Sequence, residues 1–265
     1  MSRRSLAAVT SMAAAALALS ACGGGNTASD NSTSPGGGAS GKTFEIGVTQ
    51  IVTHPSLDAA REGFKSALEA GGITANFDEQ NAQGDQATAT SIANNFKNKD
   101  LVLAIATPTA QAAAQVITDK PVLFTAVTDP VSAKLVNTLE APGANVTGTT
   151  DLNPVKEQID LVKEIKPDAK TVGIVYSSGE VNSEVQVKLA EEAAAAIGLT
   201  IQTKTVSNSG EVAQAANSLN VDAFYVPTDN MVVNGISSLV QVAESKQIPV
   251  IAAESGTVEG GALAT

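Results

Sequence analysis

Short apolar segments alternate with segments of helical periodicity along the chain from Phe44 onward. In Pro55–Ala70 the apolar residues recur at three- and four-residue intervals, which predicts an amphipathic helix. Residues 101–106 are apolar without interruption, as is typical of a strand buried on both faces of a parallel sheet. In the first half, the pattern predicts strands at 44–49, 73–77, 101–106, 122–126 and 145–149, and helices at 55–70, 85–97, 109–118 and from Pro130.

The same alternation restarts in the second half of the chain. It predicts helices at 154–165, 183–197, 211–219 and 231–246, and strands at 171–176, 200–205, 223–226 and 250–252. Two successive runs of strand–helix units favour an α/β fold with two lobes, each a doubly wound parallel sheet. We place the crossing at residues 149–151, with an N-terminal lobe at 42–149 and a C-terminal lobe at 150–265. Residues 260–265 read as the start of a further strand, so we expect a truncated chain and an incomplete C-terminal lobe.

The N-terminus has the organisation of a bacterial lipoprotein signal. Arg3 and Arg4 precede an apolar stretch that is too short to span a bilayer comfortably, and small residues lead from it to Cys22. We expect a signal peptide at 1–22 whose lipobox ends in Cys22; the alternative is an ordinary secretory signal with a chance cysteine. Residues 23–41 contain no apolar residue larger than alanine and predict a flexible tether. We expect the protein to be exported and attached to the extracytoplasmic side of the cell membrane through a lipid anchor.

Charge and residue types exclude several classes of function. The net charge is −11 at pH 7, and loss of Arg3 and Arg4 with the signal lowers it to −13. An acidic body without a basic cluster argues against binding to nucleic acid or to anionic lipid. His54 is the single histidine and Cys22 the single cysteine, so they predict no metal site. Since the sequence also lacks a P-loop, a GxSxG and an HExxH motif, we expect neither catalysis nor a cofactor.

Hydroxyl, amide and carboxylate side chains follow the predicted strands. Ligands of open α/β sheets bind beyond the carboxyl ends of the strands, where backbone N–H groups and hydroxyls can hold a carboxylate. Candidates for that role are Thr107, Thr109, Asn182 and Ser183. Asp129 and Asp229 are candidates for binding an ammonium group, although each could serve only as a helix N-cap. Together these groups predict a site for a zwitterion, that is, a free amino acid.

The single histidine and the two tyrosines each have two possible roles. His54 either lines the mouth of the cleft or precedes its helix as a polar cap. Tyr176 and Tyr225 either stack on an aromatic ligand or belong to the core at the ends of their strands.

Five motifs stand at the ends of the predicted strands. They are Ile-Gly-Val-Thr-Gln-Ile-Val-x-His-Pro-x-Leu-Asp at 46–58, Asn-Ala-Gln-Gly-Asp at 81–85, Ala-Ile-Ala-Thr-Pro at 104–108, Leu-Phe-Thr-Ala-Val-Thr-Asp-Pro at 123–130 and Tyr-Val-Pro-Thr-Asp-Asn at 225–230. Together they resemble the ABC-transporter substrate-binding lipoproteins of the tryptophan/phenylalanine-binding type. The resemblance implies a type I periplasmic-binding fold that closes on an aromatic amino acid, and an ABC permease and its ATPase as partners. The pocket residues that it implies are Gln50, His54, Thr107, Thr109, Thr125, Asp129, Asn182, Ser183, Asp229 and Asn230.

Two other functions remain open alongside amino-acid import. One is a receptor lipoprotein that senses its ligand without import, and the other is an importer receptor for another small solute, such as a nucleoside. We expect a monomer whose only contact with the membrane is its lipid anchor.

Overall fold

The computed structural model describes residues 41–265, in which strands and helices alternate. The strands are β1 (Phe44–Gln50), β2 (Ala75–Asn81), β3 (Leu101–Ile105), β4 (Val122–Val127), β5 (Val146–Thr150), β6 (Thr171–Ser177), β7 (Thr200–Val206), β8 (Ala223–Val226) and β9 (Val250–Ala252). The α-helices are α1 (Pro55–Ala70), α2 (Gln86–Asn95), α3 (Thr107–Val116), α4 (Val155–Ile165), α5 (Val181–Ala196), α6 (Val212–Ser218), α7 (Asn230–Asn234), α8 (Ile236–Lys246) and α9 (Ser255–Glu259). The predicted signal peptide, Cys22 and the tether as far as residue 40 lie outside the described residues. Within 41–265, no helix has the length and apolar character needed to cross a membrane.

The named strands form two sheets in which every pairing is parallel. The first sheet has the order β2-β1-β3-β4-β5, and the second has the order β7-β6-β8-β9. In each sheet the chain adds one strand on one side of the starting strand and the later strands on the other side, which is the doubly wound arrangement. The predicted α/β fold with two parallel sheets is therefore confirmed. The first sheet with α1–α3 is called the first lobe below, and the second sheet with α4–α9 the second lobe.

Helix boundaries in the first lobe follow from local backbone chemistry. At the end of α1, Gly72 adopts a φ of 70°, and the N–H of Ile73 donates to the carbonyl of Leu68 over 2.9 Å. Such a left-handed residue stops a helix and satisfies its last carbonyls. At the start of α2, the Asp85 carboxylate accepts the N–H of Thr88 over 2.6 Å, as expected of an N-cap.

The helix predicted from Pro130 is wrong. Residues 130–134 form turns, in which the Asp129 carboxylate accepts the N–H groups of Val131 and Ser132. Lys134 then adopts a φ of 59°, a left-handed conformation in which an α-helix does not continue. The aspartate before a proline is a start signal in the sequence, but the segment that follows it closes a turn.

Two further helix boundaries differ from the prediction. The helix predicted at 231–246 is divided at Gly235, whose φ of −100° and ψ of 12° depart from α-helical geometry and end α7. Helix α3 begins at Thr107, two residues earlier than predicted, because Ala106 turns the chain with a φ of 84° directly after β3.

Residues 260–265, predicted as the start of a further strand, run beside β9. Ala264 forms an isolated parallel bridge with Ile251. The N–H of Ala252 donates to the carbonyl of Ala264, and the N–H of Leu263 to that of Val250, each over 2.8 Å.

Helix α2 packs on strand β1 through a contact that only glycine permits. Phe96, at the end of α2, is fully buried. A Cβ atom at Gly47 would lie 2.6 Å from carbon atoms of the Phe96 ring, well inside van der Waals contact. The ring therefore occupies the space that a side chain at Gly47 would need, and this contact sets the distance between helix and sheet.

We predict that Gly47→Ala lowers the free energy of unfolding by about 1–3 kcal/mol, because the added methyl group overpacks the core against Phe96. The control is Gly63→Ala in α1, where a Cβ meets no atom within 4 Å and alanine favours the helix by up to about 1 kcal/mol. Urea denaturation of both variants measures the difference. Equal stability of the two would contradict the packing argument.

Candidate ligand-binding site

A cavity of about 490 Å³ lies between the lobes. Its volume is in the range of small-molecule sites. Because the carboxyl ends of parallel strands meet at one edge of a sheet, the loops that follow the strands of both lobes line this cavity. The lining residues are His54, Ser56, Leu57, Ala60, Thr125, Ala126, Asp151, Leu152, Asn153, Asn182, Thr228, Asp229, Asn230, Val233 and Glu254.

Direct hydrogen bonds join the two lobes around the cavity. The bonded pairs are Ser56 with Glu254, Thr128 with Thr228, and Gln86 with the carbonyl of Gly179. The hydroxyls of Thr128 and Thr228 lie 3.1 Å apart, and the Gln86 amide donates over 3.3 Å. The lobes are therefore closed on each other.

Carboxylates dominate the charge of the cavity wall. Asp151, Asp229 and Glu254 line it, and among its lining residues within 41–265 there is no lysine or arginine. Burial lowers the pKa of His54 below its usual value, against the opposing charges of Glu254 and Asp58, so the imidazole is neutral at pH 7. Carboxylates that are withdrawn from water without a cation are unfavourable, and a cationic group in the cavity would relieve that cost.

Asp151 lies where the chain crosses from the first lobe to the second. Its N–H donates to the carbonyl of Val127 over 3.2 Å, which fixes the backbone beside the end of β4. Burial raises the pKa of its carboxyl, and the charge of Glu254 raises it further. One carboxylate oxygen, Oδ1, is buried without a hydrogen-bond partner. Asp151 therefore has both charge and hydrogen-bonding capacity left for a ligand.

Asp229 is fully buried and caps α7. Its Oδ1 accepts the N–H groups of Met231 and Val232, each over 3.0 Å. Its Oδ2 accepts the N–H of Ser177 over 2.6 Å and the hydroxyl of Ser183 over 2.7 Å. These four donors stabilise the charged form, while burial raises the pKa of the group. The N-cap interpretation of Asp229 is thus confirmed, and its contact with a ligand stays a prediction.

Glu180 is a second buried acid beside Asp229. Its Oε2 accepts the side-chain amides of Asn182 over 2.9 Å and Asn230 over 2.7 Å, and the N–H of Asn230 over 3.2 Å. Burial, followed by the charge of Asp229, raises the pKa of Glu180 to about 8. Because Asp229 is satisfied by four donors, Glu180 holds the proton at neutral pH. The network ties α5 to α7 and positions both asparagines at the cavity wall.

Three buried polar atoms without a partner belong to lining residues. They are Nδ1 of His54, Oδ1 of Asp151 and Oδ1 of Asn182. The amide nitrogen of Asn182 donates to Glu180 and to the carbonyl of Thr228, which identifies its oxygen as the free group. Since buried polar groups are normally hydrogen-bonded, these atoms mark a site that is incomplete without a ligand.

A bulge in β4 shapes the wall between the two lobes. The pairing of β4 with β5 shifts between Phe124 and Val127, so Thr125 and Ala126 together face one residue of β5. Ala126 adopts a φ of 53°, which is uncommon for a residue other than glycine. Strained backbone of this kind clusters at functional sites, and both bulged residues line the cavity.

Five of the residues predicted for the site line the cavity: His54, Thr125, Asn182, Asp229 and Asn230. The rule that places ligands after parallel strands located them. His54 lies at both predicted positions, since it lines the cavity and is also the residue before α1, where its side chain makes no capping bond.

The remaining predicted residues are not among the lining residues. Gln50 donates to the carbonyl of Val52 and to Asp58, and the Thr109 hydroxyl donates to the carbonyl of Ile105. Ser183 supports Asp229, and Asp129 caps the turn after β4. The Thr107 hydroxyl is buried without a partner. Direct ligand contacts for Gln50, Thr107, Thr109, Asp129 and Ser183 stay predictions.

Sequence reasoning did not select Asp151 or Glu254 as a pocket residue. Each comes just after the end of a strand, β5 and β9 respectively, so the rule that identified the other residues also applied to them. Both tyrosines, in contrast, belong to the second lobe's core. Tyr225 is fully buried and donates to Gln158 over 3.0 Å, and Tyr176 packs against the same apolar cluster.

We predict that Glu180→Gln flattens the pH dependence of stability. Between pH 4.5 and about 8 the folded state keeps a proton on Glu180 that the unfolded state releases, so the free energy of unfolding falls as the pH rises. One such proton contributes at most about 1.4 kcal/mol per pH unit. Denaturation across this window measures the slope, with the exposed Glu184→Gln in α5 as the control. Equal slopes for wild type and Glu180→Gln would refute the assignment of the proton.

Comparison with known proteins gives a family match and several similar proteins. Residues 45–265 match the family described as ABC transporter substrate binding protein. The tyrosine-binding protein of Clostridioides difficile (strain R20291) is 46% identical over 233 residues, which cover 85% of this chain and 68% of that protein. The crystal structure of an ABC domain in complex with L-Trp, from Streptococcus pneumonia, is 38% identical with a TM-score of 0.80, over 84% of this chain and 78% of that one. A ligand-free, open substrate-binding protein from Clostridium difficile is 48% identical with a TM-score of 0.59, over 83% and 77%.

The two solved structures differ in ligand state, since one is ligand-free and open and the other is a complex with L-Trp. The open protein is more similar in sequence, yet the backbone of this chain superposes better on the L-Trp complex. The arrangement of the lobes is therefore closer to that of the ligand-bound relative. Substrate-binding proteins of ABC transporters are extracytoplasmic receptors and not enzymes, which confirms that no catalysis is to be expected. From the family match and the identity to these relatives, the chain belongs to the ABC transporter substrate-binding protein family.

Proposed function

We propose that this protein is the receptor of an ABC importer for an aromatic amino acid, which it binds in the cavity between its lobes. One observation carries the proposal. Asp151, Asp229 and Glu254 line a single cavity whose wall, in the described part of the chain, contributes no lysine or arginine. An α-ammonium group supplies the missing positive charge and up to three hydrogen-bond donors.

The free acceptors of the wall match an ammonium group. Oδ1 of Asp151 and Oδ1 of Asn182 are both buried acceptors without a donor. Asp229, whose oxygens already accept four hydrogen bonds, contributes negative charge more than hydrogen-bonding capacity. The ammonium contact is therefore assigned to Asp151 and Asn182, and the negative charges of Asp229 and Glu254 in the same wall add to the attraction.

The rest of the wall suits the carboxylate and the side chain of an amino acid. The side-chain amide of Asn230 lines the wall and donates one of its two hydrogens to Glu180, which leaves the second for a ligand carboxylate. Five aliphatic residues form the apolar part of the wall: Leu57, Ala60, Ala126, Leu152 and Val233. A flat ring packs against such side chains without an aromatic partner. The relatives point the same way, since one is named a tyrosine-binding protein and another was solved with L-Trp.

We also propose that the protein is exported and held at the membrane through a lipid on Cys22. Its support is the basic and apolar sequence before Cys22, the small residues next to it and the glycine- and serine-rich segment that follows. A diacylated cysteine anchors a protein stably, because two acyl chains enter the bilayer. A receptor held in this way stays close to the permease and ATPase that we propose as its partners.

Closure between an N-terminal lobe at 42–149 and a C-terminal lobe at 150–265 is part of the proposal. Strand β5 ends at Thr150 in the first sheet, and α4 packs on α5 and β9 of the second lobe. Asp151 therefore stands at the point about which the lobes would rotate, so a ligand that contacts it acts directly on closure.

Calorimetric titration of the purified protein tests the ligand. We expect an aromatic amino acid to bind and nucleosides not to bind. Asp151→Asn is expected to lower the affinity for the amino acid by about 10- to 100-fold, the range for a lost hydrogen bond to a charged group. The matched control is Asp119→Asn, at an exposed position remote from the cavity lining. Binding of nucleosides alone, or full affinity in Asp151→Asn, would rule out the proposed recognition.

Mass spectrometry of the protein from its own membranes tests the anchor. The mature chain is expected to begin at Cys22 with a diacylglyceryl group on the thiol, and Cys22→Ala is expected to incorporate no labelled palmitate. A mature chain that begins at another residue, or a Cys22 thiol without lipid, would exclude the lipoprotein assignment.

A further inference from the structure

Glu254 occupies a position that no other acid of the cavity wall shares. It follows β9 in the second lobe, and its Oε2 accepts the hydroxyl of Ser56 from the first lobe. Its Oε1 accepts the hydroxyl of Thr257 over 2.7 Å, which holds the carboxylate in place from its own lobe. Ser56 and Glu254 both line the cavity. A single carboxylate thus bonds across the lobes and faces the ligand space.

The backbone around Glu254 is built for this close approach. Gly256 lies in the first turn of α9, and a Cβ atom added there would collide with the Ser56 hydroxyl oxygen. The absence of a side chain at this position therefore lets the start of α9 meet the start of α1. The other two bonded pairs between the lobes, Thr128 with Thr228 and Gln86 with Gly179, are formed by uncharged groups.

The charge of Glu254 acts on two other residues that line the same cavity. It makes ionisation of Asp151 less favourable, and it also acts on His54 near the start of α1. Within the described residues, no lysine or arginine lines the cavity to offset this repulsion. In the closed arrangement, the hydrogen bond to Ser56 therefore holds the Glu254 carboxylate in a cavity that Asp151 also lines.

We propose that Glu254 couples the ligand's ammonium group to closure of the lobes, and so makes the receptor select amino acids over analogues that lack the amino group. The inference rests on the proposed amino-acid function. An ammonium group between Asp151 and Glu254 cancels their repulsion, so the bond between Glu254 and Ser56 forms at full strength. A ligand of the same shape without the amine leaves the repulsion in place and shifts the receptor towards the open state.

Two substitutions separate the charge of Glu254 from its bond to Ser56. Glu254→Gln removes the charge but keeps an oxygen that can accept the Ser56 hydroxyl. Ser56→Ala keeps the charge and removes the bond. Each variant and the wild type is titrated by calorimetry with L-tyrosine and L-tryptophan, and with the analogues in which hydrogen replaces the amino group. Small-angle scattering of the same samples, through the radius of gyration, reports closure.

The two variants are expected to respond differently. In Glu254→Gln, the preference for the amino acid over its deaminated analogue falls at least about tenfold, because a charge-assisted contact is lost. In Ser56→Ala, the affinities for both ligands fall by a similar factor, so the preference for the amino acid is kept. The liganded protein is less compact than wild type. Gly256→Ala, which inserts a methyl group between the lobes, is expected to behave like Ser56→Ala.

The outcomes that overturn the inference are distinct from failure of the proposed function. If wild type binds amino acids but Glu254→Gln keeps the full preference for the amino acid over its deaminated analogue, Glu254 does not recognise the ammonium group. If Ser56→Ala matches wild type in affinity and compactness, the bond across the lobes does not contribute to closure. If wild type binds none of these amino acids, the proposed function itself is wrong.

Discussion

The repulsion between carboxylates that face one closed cavity is the constraint on which the site depends. Asp151 and Glu254 both line that cavity, the charge of Glu254 disfavours ionisation of Asp151, and the described lining contains no lysine or arginine to offset it. In a region of low dielectric constant, such charges interact far more strongly than in water. In the empty closed state this repulsion is unfavourable. A cationic ligand that cancels the repulsion therefore binds more favourably. This argument links the chemistry of the ligand to the motion of the lobes.

The parallel topology of the two sheets delivers these groups to one place. Each strand ends at the cavity edge of its sheet, and helix starts and tight turns then fix the side chains that follow. Asp229 and Asp151 have different roles. The four hydrogen bonds of Asp229 join α7 to β6 and α5, whereas Asp151 keeps a carboxylate oxygen without a hydrogen-bond partner. Glu180 can remain buried beside Asp229 because it holds a proton. Hydrogen bonds thus fix Asp229 and Glu180 within the second lobe, whereas Glu254 bonds across the lobes to Ser56.

Periodicity predicted the fold because the alternation of apolar strands and amphipathic helices is local information. It failed where backbone conformation decides, at Lys134, Gly235 and Ala106, since a left-handed residue or a helix break leaves no hydrophobic signature. In the site, position after a strand located His54, Asn182 and Asp229. The same rule could not tell which polar residues are consumed by local bonds, as in Thr109, and which remain free, as in Asp151. That distinction depends on tertiary contacts between residues far apart in the chain.

A crystal structure of the protein with L-tyrosine or L-tryptophan tests the central claim most directly. The account predicts that the ligand lies in the cavity between the lobes, with its ammonium nitrogen at about 2.7–3.2 Å from a carboxylate oxygen of Asp151. Glu254 should remain bonded to Ser56 across the closed lobes. A ligand bound elsewhere, or one whose ammonium group points to solvent while another group meets Asp151, would contradict the account.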